Sequence, residues 1–215
     1  GAREGGVAVP ALRGVEPAQL LRAARDGSTA DGRRLQAPMP RYAFLLAMAL
    51  VATAAHALDA FPGARAVAFD GKRLVHAAEG GTPVERWREF VPEGEAIARW
   101  TRLASIREYP GHTDPKALAE GLLRALKQQN PDAPSSIIRH PATGELIVDF
   151  ISWPPDRAFT EFNLFRYGKR DAGGVIAQQY ALRVYGDATA FLRGLKAERV
   201  RLVALMAKEG LRAAR

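Results

Sequence analysis

The sequence predicts an α+β domain, an antiparallel β-sheet with two main helices packed on it. Three observations carry this. Apolar runs of strand length are separated by turn-forming residues at hairpin spacing. Only two stretches have strong helical periodicity. The order ββββ-α-ββββ-α sets strands beside strands, which calls for antiparallel pairing.

The elements follow in order. Residues 65–69 and 73–77 flank Asp70-Gly71, the strongest short hairpin signal, because glycine tolerates positive φ. Gly80-Gly81-Thr82-Pro83 is expected to end the second strand, and 84–91 is a third strand with one wet face. After Pro92-Glu93-Gly94, residues 95–100 read as a short helical turn and 103–109 as a fourth strand. The best helix lies in HTDPKALAEGLLRALKQQNPDA, where Thr113 or Asp114 caps it and Pro115 fits the first turn. Leu118, Leu122, Ala125 and Leu126 form its apolar stripe, and Asn130-Pro131 ends it. Residues 136–140, 146–153, 159–167 and 175–185 are the second block of strands. Asp187 caps a closing helix with Phe191, Leu195, Leu202 and Met206 inward and Arg193, Lys196, Arg199 and Arg201 outward. Gly210 stops it, and 211–215 are expected to fray.

MPRYAFLLAMALVATAAHALDAF, residues 39–61, has a different character. Arg41 supplies a positive n-region, and the thirteen uncharged residues 43–55 are followed by Ala55-His56-Ala57. This is the pattern of a secretory signal peptide, residues 39–57, cleaved after Ala57. Thirteen residues rise only about 20 Å as a helix, short of a hydrocarbon core of about 30 Å, so no stable transmembrane anchor is expected. Met39 is read as the initiator. Residues 1–38, with six arginines and scattered Gly and Pro, are read as a disordered upstream extension that is not native. With no internal repeat or second linker, 58–215 is read as a single α+β domain. The localisation this implies is periplasmic or secreted.

Composition narrows the chemistry. The 215 residues are 47% hydrophobic and 25% charged, ordinary for a globular chain. The absence of cysteine excludes disulfides, thiolate metal sites and cysteine nucleophiles. The net charge of +8 favours anionic partners, although arginine abundant throughout the chain is also what a solvated surface presents. Export removes the opportunity for nucleic acid, and none is expected as a partner.

EFVPEGEAIARWTRLASI (89–106) and FTEFNLFRYGKRDAGGVIAQQYALRVYG (159–186) resemble a group of uncharacterised bacterial secreted proteins. Their fold is similar to the α/β/α sandwich of the photosystem II subunit PsbP and the Ran-binding protein Mog1. The resemblance covers most of 64–207 and implies a PsbP/Mog1-like fold with binding or assembly roles. It implies no shared catalytic set.

The residues themselves offer few constellations. No phosphate loop, dinucleotide fingerprint, nucleophile elbow or metalloprotease motif occurs. His76 and Glu79 would be neighbours on a helix but not on the predicted strand, so no metal site is expected, and no cofactor. In TEFNLFRY, Glu161, Asn163, Phe165 and Tyr167 share one strand face, and Phe162, Leu164 and Arg166 the other. Arg183 is placed to pair with Glu161 across strands. Trp87, Trp100 and Trp153 are candidates for a sugar-stacking or peptide groove. Arg86 and Arg88, with Arg99, Arg102 and Arg107 behind them, are candidates for a basic face. The candidate ligand-binding set is Trp87, Glu89, Trp100, Glu161, Asn163, Arg166 and Arg183.

The expected function is that of an exported, non-enzymatic binding protein with an unknown macromolecular or anionic envelope partner. One alternative is a cell-envelope hydrolase with Glu161 or Asp149 as acid/base, for which Glu89 is also available. The other is an immunity-type protein that captures another protein.

Overall fold

The computed structural model describes residues 64–170 and 172–214. The predicted extension 1–38 and signal peptide 39–57 lie outside the described residues. Strand β1 (Ala66–Phe69) turns through Asp70 and Gly71, at φ 51° and 65°, into β2 (Lys72–Thr82). Two successive positive φ values are the mirror-image turn that suits the right-handed twist of a hairpin. Strand β2 does not end at Gly80-Gly81 as expected. It pairs with β3 (Glu85–Val91) through Gly80 opposite Trp87 and Gly81 opposite Arg86. A Cβ on Gly80 would lie 2.6 Å from Cζ2 of Trp87, so the glycine here clears room for a ring lying against the strand.

Residues 95–100 form turns rather than a helical turn, with Ala96 bridged to Arg99. The Glu95 carboxylate accepts from the Thr101 N–H at 2.6 Å and its hydroxyl at 2.7 Å, which holds the segment closed. Strand β4 (Arg102–Tyr109) leads to helix α1 (Pro115–Gln129), capped by Asp114, whose carboxylate accepts from Lys116 N–H. Strands β5 (Ser135–Arg139), β6 (Leu146–Ser152), β7 (Phe159–Lys169) and β8 (Val175–Tyr185) follow, then helix α2 (Thr189–Lys208). The α2 cap position is Ala188, with the Asp187 carboxylate accepting from Thr189 N–H at 2.8 Å.

Residues 212–214 do not fray. They form β9 (Arg212–Ala214), paired antiparallel with β1, behind a fully packed Leu211. Gly210 makes this possible at φ 62°, and the Gln178 side-chain oxygen accepts from Leu211 N–H at 2.9 Å.

Among the described residues, all nine strands join one antiparallel sheet in the order β5-β6-β7-β8-β4-β3-β2-β1-β9. Two four-stranded meanders are joined edge to edge by β8 and β4, with α1 making the crossover. This corrects the expected fold class. The molecule is not an α+β sandwich of the PsbP/Mog1 type with helical layers on a sheet. Among the described residues it is mostly one nine-stranded antiparallel sheet, 46% strand against 23% helix, with two helices attached. Nine strands at about 4.8 Å spacing span roughly 38 Å, whereas a helix is about 10 Å across. One helix per face covers a fraction of that width, and both approach the backbone most closely at β6 and β7.

The faces are distinct. On the α1 face, Leu118, Leu122 and Leu126 pack on Leu146, Val148, Phe150, Phe165 and Tyr167. On the α2 face, Leu195, Leu202 and Met206 join Val67, Leu74, Phe90, Ile106, Ile147 and Phe162. A third cluster of Val91, Trp100, Leu103 and Ala181 closes one end of the α1 face under the segment before β4.

Candidate functional site

Between the α1 cluster and the Trp100 cluster, the middle of the α1 face is polar. The register places Glu89, Ser105 and Gln179 side by side on β3, β4 and β8, with Trp87, Arg107 and Ala177 in the adjacent row. Arg107 is buried, 2% exposed, and its two terminal nitrogens each donate at 3.1 Å, one to Glu85 and one to Glu89. Burial works against this charge, but its anionic neighbours, Glu85 and Glu89 among them, outweigh it and raise the guanidinium pKa. Burial also pushes the neighbouring Tyr109 and Tyr167 phenols well up, so both are neutral at ordinary pH.

A second set of polar groups approaches from β7. Gln179 donates through Nε2 to Oδ1 of Asn163 at 2.9 Å, and Asn163 donates to Glu161 at 3.4 Å and to the Ser152 hydroxyl at 3.3 Å. Arg183 donates through Nε to Glu161 at 2.6 Å, and its Nη2 also contacts that carboxylate. The Arg183 guanidinium is sandwiched 3.8 Å from the Trp100 ring centre and 4.2 Å from that of Phe159. Tyr185 closes the cluster by accepting from Trp100 N–H and donating to Trp100 C=O, both at 3.2 Å.

The result is a continuous polar chain, Arg183–Glu161–Asn163–Gln179, that stops short of the Glu85–Arg107–Glu89 triad. At the break, Gln179 Oε1, Ser105 Oγ and Arg107 Nε are buried and make no hydrogen bond among the described residues. Buried polar atoms are almost always paired, and leaving one unpaired costs about 1–3 kcal/mol. Three in one place single out this point on the sheet.

Of the seven candidates read from the sequence, Trp87, Glu89, Trp100, Glu161, Asn163 and Arg183 lie on this α1 face, and the predicted Glu161–Arg183 pair is formed. Arg166 does not join them. It lies on the α2 face, donating to Glu145 at 2.7 Å and to the Met206 carbonyl at 3.3 Å, where it secures the end of α2. Ser105 and Gln179 were missed as site residues, and Arg107 was read only as part of a basic face. The signal was present in LASIREY, where Ser105 and Arg107 take the strand positions between Leu103 and Tyr109. The proposed basic face is divided: Arg88 pairs with Glu79 at 3.2 Å on the α2 face, while Arg107 is buried between carboxylates on the other.

The three carboxylates considered for hydrolysis do not assemble. Asp149 lies on the α2 face, where Arg199 donates to its two oxygens at 2.6 and 2.8 Å and Ser136 donates at 2.9 Å. Arg199 is therefore turned toward the sheet, not outward as expected. The cleft beside this pair, about 130 Å³ between α2, β6 and Phe162, is below the size of a usual small-molecule site. Among the described residues, no group of three His, Asp or Glu side chains is placed to hold a metal ion, and no helix is long and apolar enough to cross a membrane.

No curated protein matches the chain. A family model does match it, over residues 62–211, which takes in both meanders, both helices and the polar break between Gln179 and Arg107. By that match, the chain belongs to this family of uncharacterised proteins.

Proposed function

We propose that the protein is an exported, non-enzymatic binding protein, periplasmic or secreted, that holds an envelope macromolecule against the α1 face of β3, β4, β8 and β7. The observation that carries this reading is the break in the polar chain, where Gln179 Oε1, Ser105 Oγ and Arg107 Nε are buried without partners. A ligand that supplies the missing hydrogen bonds recovers their desolvation cost as binding free energy. Export rests on the signal-peptide pattern of residues 39–57.

The non-enzymatic half rests on how the carboxylates are held. A general acid or base needs an oxygen free to meet the reacting group, and one carboxyl of a hydrolytic pair needs a raised pKa. Glu161, Glu89 and Asp149 are each engaged by a guanidinium, so each has an oxygen already taken by a neighbouring side chain. Incubation with cell-wall and ester substrates tests this. Retention of a ligand without turnover agrees with the reading, whereas turnover abolished by Glu161→Gln overturns it.

A further inference from the structure

We propose that the ligand of this face is a neutral carbohydrate, whose hydroxyls meet Ser105 Oγ, Arg107 Nε and Gln179 Oε1 and whose ring packs on Trp87. The proposal rests on the binding reading above and specifies its ligand class. The three unpartnered atoms differ in character. Arg107 Nε only donates, Gln179 Oε1 only accepts, and Ser105 Oγ does both. A carboxylate or phosphate answers Arg107 but leaves Gln179 Oε1 without a donor. An ammonium answers Gln179 but gives Arg107 no acceptor. A group that both donates and accepts is required, and adjacent hydroxyls on one ring supply several.

Two further observations favour a sugar over a peptide. Peptides that bind sheets usually add a strand to an open edge, where main-chain groups are free. Here β3, β4 and β8 are interior strands, each paired on both sides. Trp87 stands in the Arg107 row, partly exposed, its ring laid against Gly80. An indole packed close against a glycine is a platform for the C–H face of a sugar ring. The three atoms lie beneath the surface, so the ligand reaches them only by parting the side chains above. Association is then slower than the 10⁵–10⁷ M⁻¹s⁻¹ or so typical of preformed surfaces.

The test is a titration of the ¹⁵N-labelled protein with chitotriose, cellotriose and maltotriose, following the Arg107 Nε–H and Trp87 Nε1–H signals. Trialanine and dextran sulfate are run in parallel. The expected result is a saturable shift of both signals with at least one trisaccharide. In Ser105→Ala that affinity falls about tenfold, while the variant unfolds at the same or higher denaturant concentration because an unpaired hydroxyl has been removed. A purely structural Ser105 would not separate the two readouts. If trialanine or dextran sulfate moves these signals and no trisaccharide does, the carbohydrate assignment falls and the binding face stands. If no probe moves them, or the shifts fall on the α2 face, both readings fall.

Discussion

Gln179 Nε2 donates to Asn163 Oδ1 at 2.9 Å, a diagonal bond between β8 and β7 with both side chains buried. It makes Gln179 Oε1 the last atom of the polar chain. In Asn163→Leu the Gln179 amide loses its partner without becoming exposed, and stability falls by about 1–3 kcal/mol. Adding Gln179→Leu removes the orphaned amide and recovers part of that loss, so the two substitutions are non-additive by at least about 0.5 kcal/mol. Urea denaturation of the four proteins measures the coupling.

The Glu85–Arg107–Glu89 triad gives a contrasting pair of outcomes. Arg107→Met leaves two carboxylates in a buried setting without their shared cation, and the loss is about 3–5 kcal/mol. Replacing all three, as Glu85→Leu, Arg107→Met and Glu89→Leu, removes the desolvated charges together. That variant is expected within about 1 kcal/mol of the parent, or above it. Thermal melts at neutral pH compare them. Under the binding account, the triple variant keeps its stability and loses ligand.

Asp70, Glu145 and the exposed Asp187 all have lowered carboxyl pKa values, and the first two are tied to guanidinium groups. The Arg201 guanidinium holds Asp70 below its ordinary value by hydrogen bonding. Burial pushes Glu145 up, but hydrogen bonds from Arg166 and Thr143 outweigh it and leave the pKa lowered. A carboxyl with a lower pKa folded than unfolded stabilises above its unfolded value, and the gain is lost as pH falls through the folded value. Unfolded values near 4 therefore predict a decline that begins below about pH 5. Glu145→Gln is less stable than the parent at pH 7 but declines less steeply, and the two converge near pH 3. Urea midpoints at pH 7, 5, 4 and 3 give both slopes.

Gly210 is the joint between α2 and β9. Its φ of 62° is disfavoured for other residues, and a Cβ there would lie 2.3 Å from the Gln178 side-chain oxygen. Gly210→Ala therefore costs more than about 1 kcal/mol and loosens β9 from β1. Hydrogen exchange reads this locally: the amides of residues 212–214 exchange faster, and those of β7 and β8 are unchanged.

The strands were legible because their signals are local. Asp70-Gly71 marked the first hairpin, and alternation in 159–167 gave both the face of Glu161 and Asn163 and their separation from Phe162 and Arg166. Asp114 and Asn130 bounded α1 through capping chemistry that involves only neighbours in sequence. What failed depends on partners far along the chain. Gly80-Gly81 looks like a terminator until Trp87 is seen lying on it. Residues 211–215 look like a fraying end because nothing local announces that β1 has an open edge. Arg166 and Arg183 are chemically alike, and only the sheet shows that one secures α2 while the other is held between Trp100 and Phe159. The fold class went astray for a related reason: counting elements does not reveal that all the strands join one sheet too wide for two helices to cover.

A protein that holds a ligand on its α1 face in the cell envelope is recovered from that compartment with the ligand bound. Native mass spectrometry of the chain expressed from Met39 and recovered from the periplasmic fraction tests this most directly, alongside a Ser105→Ala, Gln179→Leu variant. The expected mass corresponds to cleavage after Ala57, plus a non-covalent increment that is released on activation and absent from the variant. Protein found only in the cytoplasm, or the same mass with no increment in both proteins, would contradict it.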